Sequence, residues 1–101
     1  MPTPKKSDVP TEIQLEHLER PVLAEHHRLI VHLVTFGYGK RVGLMRRGWI
    51  ATSYAPARGI KIDYAMGAAI VLTDLGRKVT RTFSRNAAVQ EMLGQQRLGG
   101  F

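Results

Sequence analysis

The spacing of apolar residues changes character at Gly48, and this change constrains the fold more than any other feature of the chain. Before it, Val22, Leu23, Leu29, Ile30, Leu33, Val34 and Phe36 recur mostly at three- and four-residue intervals, the period of an amphipathic helix. After it, "WIATSYA" and "IKIDYAM" alternate loosely and are rich in β-formers, and "AAIVLT" has the look of a short apolar strand. From Thr73 the helical period returns in "LGRKVTRTFSRNAAVQEML", with Leu75, Val79, Phe83 and Leu93 expected on its buried side and Thr73 or Asp74 as its cap. Helices, then two or three strands with an exposed loop at "PARG", then helix make an α+β chain that is mainly α.

Proline and glycine mark the boundaries. Residues 1–10 hold three of the five prolines and are expected to form a flexible leader, with one domain over 11–97 and a frayed tail at 98–101. Thr11 and Glu12 open a short helix that Pro21 interrupts or restarts, and a second helix is expected over 22–36. Gly37 and Gly39 punctuate that run, and a third helix follows until Gly48 stops it. On a wheel of 100° per residue, Tyr38, Val42, Met45 and Trp49 share one side of this third helix, taken as the core side. Lys40, Gly43 and Arg47 share the other, with Leu44 between. A glycine inside a helix costs about 1 kcal/mol relative to alanine. Gly43 therefore calls for a reason, and close approach of another surface is one.

Charge narrows the partners. The net charge is +7 and the pI about 10.4. Residues 1–25 carry three Lys/Arg against five Asp/Glu, a balance of −2, whereas residues 26–101 carry twelve against three, a balance of +9. A basic body of this kind favours phosphate-rich partners. With no cysteine there is no disulfide framework or thiolate chemistry, and with no apolar run of spanning length the expectation is a soluble, cytoplasmic protein that does not enter a membrane. An enzyme is not expected. His17, His26, His27 and His32 do not fall at metal-ligand spacing, and only Asp63, Asp74 and Glu91 are left as carboxylates beyond residue 25. "GYGKRVG" lacks the pattern of a phosphate-binding loop. No catalytic residue, metal or cofactor is assigned.

The segment "VGLMRRGWIA", a gap holding "PARG", and then "IVLTDLGRKV" resembles the second half of a winged helix-turn-helix domain of the MarR or PadR kind. The matching residues are Leu44, Arg46, Arg47, Gly48, Trp49 and Ile50, then Arg58, then Leu72, Thr73, Gly76 and Arg77, and the resemblance covers at most residues 22–85. It implies three helices, a β-wing and a C-terminal helix, with the third helix entering the major groove of double-stranded DNA and the wing reaching the flanking backbone. Carried onto this chain, it makes Lys40, Arg41, Gly43 and Arg47 groove-facing, with Arg46 beside them. Arg58 and Lys61 become wing contacts, and the Tyr38 hydroxyl a phosphate donor. Arg77 is assigned to bracing the fold, and Trp49 to the core. The function implied is that of a small transcriptional regulator, with a homodimer built through residues 74–97 as the expected assembly. The competing reading keeps the fold but makes it an adaptor or inhibitor that docks on a host protein complex. RNA recognition is disfavoured because the aromatics are not spaced like an RNA-reading sheet.

Overall fold

A computed structural model describes residues 9–55 and 64–98. The elements are helix α1 (Glu12–His26), a 3-10 turn (Leu33–Thr35), helix α2 (Tyr38–Arg46), strand β1 (Ile50–Ser53), a 3-10 turn (Tyr64–Met66), strand β2 (Ala69–Leu72), helix α3 (Asp74–Phe83) and helix α4 (Ala87–Leu98). The fold is α+β and mainly helical. The expected loop at 56–59 and the start of the expected strand at 60–63 lie outside the described residues, and Tyr64–Met66 is a 3-10 turn rather than strand.

α1 begins with a capping box. The Gln14 amide donates to Thr11 Oγ1 at 3.1 Å, and the Thr11 amide donates to Gln14 Oε1 at 3.0 Å. The helix then runs through Pro21, which neither interrupts nor restarts it. A proline here removes one backbone hydrogen bond, and its burial with Leu18 and Val22 against the core offsets that loss.

The helix expected over 22–36 ends ten residues early. The Leu29 amide donates to Ala24 O at 2.8 Å and the Arg28 amide to Glu25 O at 2.9 Å, and Arg28 takes the left-handed conformation, φ 59°. These are the two bonds of a Schellman stop, with arginine where glycine is usual. The chain beyond it is drawn into the sheet. Val31 O accepts from the Ile70 amide at 2.8 Å, the Leu33 amide donates to Ala68 O at 2.8 Å, and His32 bridges Ala69. The apolar spacing of this segment suits a helix, but pairing with β2 buries Val31 and Phe36 while leaving Leu29 and Val34 exposed.

β1 and β2 pair antiparallel, with Ile50 opposite Leu72 and Ser53 opposite Ala69. Two α-helices rather than three thus precede the strand pair, with a single 3-10 turn standing between them. The C-terminal helix is likewise two helices. Ser84 ends α3 in an extended conformation, its hydroxyl donating to Glu19 Oε2. Asn86 Oδ1 then caps α4 by accepting from the Ala88 and Val89 amides at 2.9 and 3.3 Å.

The core gathers Leu18 and Val22 of α1, Val31, Phe36, Leu44 of α2, Trp49, Ile50, Ile70, Leu72, Val79 of α3, and Val89 and Leu93 of α4. On α3 the buried stripe is Gly76, Val79 and Thr80. Leu75, expected inside, is 49% exposed, and Phe83 is at the surface. The helix is rotated because Gly76, not a larger residue, meets the backbone of Trp49.

Candidate functional site

The C-terminal end of α2 sets the site. Gly48 has φ 72°, and its amide donates to Met45 O at 2.9 Å while the Trp49 amide donates to Leu44 O at 3.1 Å. This second Schellman stop turns the chain so that Trp49, 2% exposed, packs with Leu44, 1% exposed. β2 returns to the same turn. The Thr73 amide donates to Trp49 O at 3.1 Å, the Thr73 hydroxyl donates to Gly48 O, and the Gly76 amide donates back to Thr73 Oγ1 at 3.0 Å. One threonine therefore caps α3 and ties it to the end of α2. A Cβ on Gly76 would stand 1.9 Å from Trp49 O, so only glycine allows this approach.

This clasp fixes which side of α2 faces outward. Leu44 is the one fully buried residue of α2, with Val42 and Met45 half-buried. Tyr38, expected on the core side, is 73% exposed. Trp49 is in the core as expected.

The cations divide into two pairs. Lys40 and Arg46 are exposed, and among the described residues neither is held by another side chain. Arg41 and Arg47 are half-buried and partly committed. Arg41 Nη1 reaches Leu33 O at 3.5 Å, and its guanidinium lies 5.5 Å from the Tyr38 ring centroid. Arg47 folds back along its own helix, where Nη1 donates to Gly43 O at 3.1 Å and the guanidinium covers Trp49 at 5.6 Å. Its Nε is buried with no hydrogen-bond partner. The wheel puts Arg47 on the outward side, whereas its side chain lies half-buried over Trp49, because a wheel carries no information on a carbonyl and a ring within reach.

The start of α2 is open. Gly37 occupies the N-cap with no side-chain hydrogen bond, and a Cβ at Gly37 or Gly39 would meet nothing within 4 Å. Amides of the first helical turn, a partial positive charge and two nearby cations make this end receptive to an anion. α2 itself contains no acidic residue. Gly39, Lys40, Gly43 and Leu44 also form one wall of a groove of about 310 Å³, whose other wall is Ile13, Gln14 and His17 of α1. Gly43 thus faces a groove rather than packed protein. The wing candidates Arg58 and Lys61 lie outside the described residues.

The histidines are tied to structure in different ways. His17 packs edge-on to Phe36, His32 Nδ1 pairs with Gly67 O at 3.1 Å, and His26 Nδ1 sits 3.2 Å from Met92 Sδ. Among the described residues no three His, Cys, Asp or Glu side chains gather as a metal site, and no helix is long and apolar enough to cross a membrane.

Arg77, Lys78, Arg81 and Arg85 form a second basic run, whose three- and four-residue spacing on a helix suits either a phosphate track or a solvated face. Arg77, Lys78 and Arg81 line a groove with Thr82, Gln90 and Leu93 between α3 and α4. No family model, curated protein or solved structure matches the chain.

Proposed function

We propose that this chain is a variant winged-helix protein that binds double-stranded DNA, with α2 as the element entering the major groove and the β1–β2 pair as the base of the wing. The observation that carries the reading is the set of exposed side chains on α2. Tyr38, Lys40 and Arg46 are exposed on a helix that contains no acid and begins with open amides, and Leu44 and the Trp49 turn hold that helix to the core. The element order of α1, the His32 bridge to β2, α2, β1 and β2 supports the same reading. Where a helix-turn-helix has its first helix, this chain has only Leu33–Thr35. Positioning therefore falls to the sheet and the Thr73 clasp rather than to a partner helix.

Phosphate contacts from Lys40 and Arg46 supply affinity in this reading, and Tyr38 with Arg41 sits where base edges or sugars are reached. Arg47 acts by holding the end of the helix. Regulation of transcription as a homodimer on a palindromic site is part of the same proposal. Selection of bound duplexes from a random pool at physiological salt tests it, with an enriched palindrome expected. The paired variant Lys40→Ala/Arg46→Ala should weaken binding and lower the slope of log affinity against log salt by about 1.8, or ~0.9 per lost phosphate contact. Unchanged affinity and slope in that variant would rule out α2 as the DNA-binding element.

One observation favours the adaptor reading. Ile13 is 54% exposed beside the glycine wall of α2, and an apolar residue in an open groove suits a protein partner. On that reading the chain shows no salt-steep duplex binding, and Ile13→Asp abolishes capture of the partner.

A further inference from the structure

We propose that the cleft between α1 and the sheet, together with the cationic groove beside it on α3 and α4, holds an acidic protein segment anchored by one apolar side chain. The proposal does not depend on what α2 binds. Gly76 faces the Trp49 turn, and at about 3.6 residues per turn Lys78 and Arg81 lie about 200° and 140° around α3 from it, on the side away from that turn. Arg77, Lys78 and Arg81 line a groove of about 680 Å³ with Gln90 and Leu93. Arg77 and Leu93 also line a cleft of about 270 Å³, which Glu25 and Leu29 share. The two hollows are therefore continuous.

The chemistry changes along this surface. Buried Pro21, Val22, Ile70, Leu72 and Leu93 line the cleft, and Leu29, 62% exposed, stands at its rim. A cavity of ~150 Å³ admits a benzene-sized group, so this one has room for a single leucine or phenylalanine side chain. The adjoining groove has a fixed shape, because Gln90 Nε2 donates to Arg81 O at 2.6 Å and to Ser84 O at 2.9 Å and so fastens α4 across the end of α3. Its charge is unbalanced. Among the described residues no salt bridge engages Arg77, Lys78 or Arg81, and the one acid of the groove, Asp74, sits in the first turn of α3, where it complements the helix dipole.

Charge and apolarity together select the occupant. Phosphates repeat every few Å along a duplex, so a duplex lying along this surface would carry charge past Glu25 as well as Arg77 and would leave the apolar cleft unfilled. An acidic segment meets neither difficulty. Its carboxylates pair with Arg77, Lys78 and Arg81, and its apolar side chain enters the cleft with no acid of its own beside Glu25. Burial of that side chain supplies the larger share of the affinity, since exposed ion pairs contribute little.

The test uses the full chain and a labelled decapeptide in which one leucine precedes four glutamates, in anisotropy titrations at physiological salt. The same peptide with serine for leucine is the control. The leucine peptide should bind about tenfold more tightly or better. Arg77→Gln/Arg81→Gln and Leu29→Ser should each weaken it roughly threefold to tenfold, and Lys40→Ala/Arg46→Ala should leave it unchanged. Circular dichroism checks that each variant is folded, and Leu29→Ser alters an exposed residue. No binding, or equal binding of the two peptides, overturns the anchored segment. Loss of binding in the α2 variant alone moves the site to α2 and also overturns it. Displacement of the peptide by a duplex in the α2 variant assigns the surface to nucleic acid, and a dimer in sedimentation that Leu29→Ser dissolves assigns it to a second copy; either result overturns the proposal. The duplex salt slope of the α2 variant is read separately, so the DNA-binding reading stands or falls on its own.

Discussion

Replacing Gly76 with alanine should be among the most damaging single-methyl changes available to this protein. The added Cβ would lie 1.9 Å from Trp49 O, 2.8 Å from Trp49 C and 3.1 Å from Trp49 Cα. An ordinary contact between carbon and carbonyl oxygen is about 3.3–3.6 Å, so α3 and the Trp49 turn must part by more than 1 Å. Both obstacles are backbone, and no side chain can swing aside. Overpacking of this kind costs about 1–3 kcal/mol. The separation also loosens the bond from the Thr73 amide to Trp49 O, worth about 1 kcal/mol, and the Thr73 cap, worth about another 1 kcal/mol. Alanine returns roughly 1 kcal/mol of helix propensity. The net expectation is a loss of about 2–4 kcal/mol, and at 4–8 °C per kcal/mol for a domain of this size the melting temperature should fall by at least about 8 °C. Circular dichroism reads the transition. Trp49 fluorescence, the only tryptophan signal, reads the clasp itself and should shift to the red. Gly43→Ala is the control, because its Cβ would meet only Arg47 Nη1 at 3.7 Å; it should stabilise by up to about 1 kcal/mol. A Gly76→Ala protein that melts within 2 or 3 °C of the parent, at about half a kcal/mol, would refute the clasp.

Two further outcomes follow from the caps and the half-buried cations. Arg28 holds a left-handed conformation that costs a non-glycine residue about 1–2 kcal/mol. Part of that gain is lost to the extra freedom of glycine in the unfolded chain, so Arg28→Gly should stabilise by roughly 0.5–1 kcal/mol in urea unfolding; a loss of stability would show that the arginine side chain is needed there. Arg47→Ala should lower stability by about 1 kcal/mol through loss of its bond to Gly43 O and its cover over Trp49. If thermal unfolding shows no change, Arg47 is a free surface cation and belongs with Lys40 and Arg46 in the binding tests.

The parts of this fold that sequence made legible are those where a local rule and a tertiary contact agree. Gly48 stops a helix by local chemistry and is then used by Thr73, so both the stop and the cap could be read from residue type and spacing. Trp49 is in the core for the same reason, as the apolar residue that follows a Schellman glycine. Failures occur where a distant partner decides. Residues 29–36 keep helical spacing, but β2 offers Val31 and Leu33 a sheet edge, and an arginine ends the preceding helix in a conformation that its identity does not advertise. Ser84 and Asn86 divide the last helix with ordinary capping chemistry, which an apolar period running across them conceals. The basic run on α3 is visible in the sequence as charge, but its concavity depends on Gln90, whose amide bonds to α3 cannot be read from spacing.

Gly39 and Gly43 bring these strands together at the site. Gly43, in the interior of a nine-residue helix, costs about 1 kcal/mol relative to alanine and Gly39, in its first turn, costs less, and neither is repaid inside the chain. Gly39 has nothing within 4 Å of a would-be Cβ, and Gly43 has only the end of a flexible arginine. Gly76 shows what a structurally required glycine looks like here, with backbone atoms in the way on the same protein. The two in α2 lack that signature, yet they stand one turn apart on the wall of an open groove, between exposed Lys40 and the exposed Ile13 of α1. Their cost is explained if a second molecule brings its surface against the α2 backbone, where a methyl group would hold it off. Gly43→Ala should therefore separate folding from binding, raising the melting temperature while weakening whichever partner the groove admits. The salt slope of the lost affinity then identifies that partner, steep for a duplex and shallow for a protein.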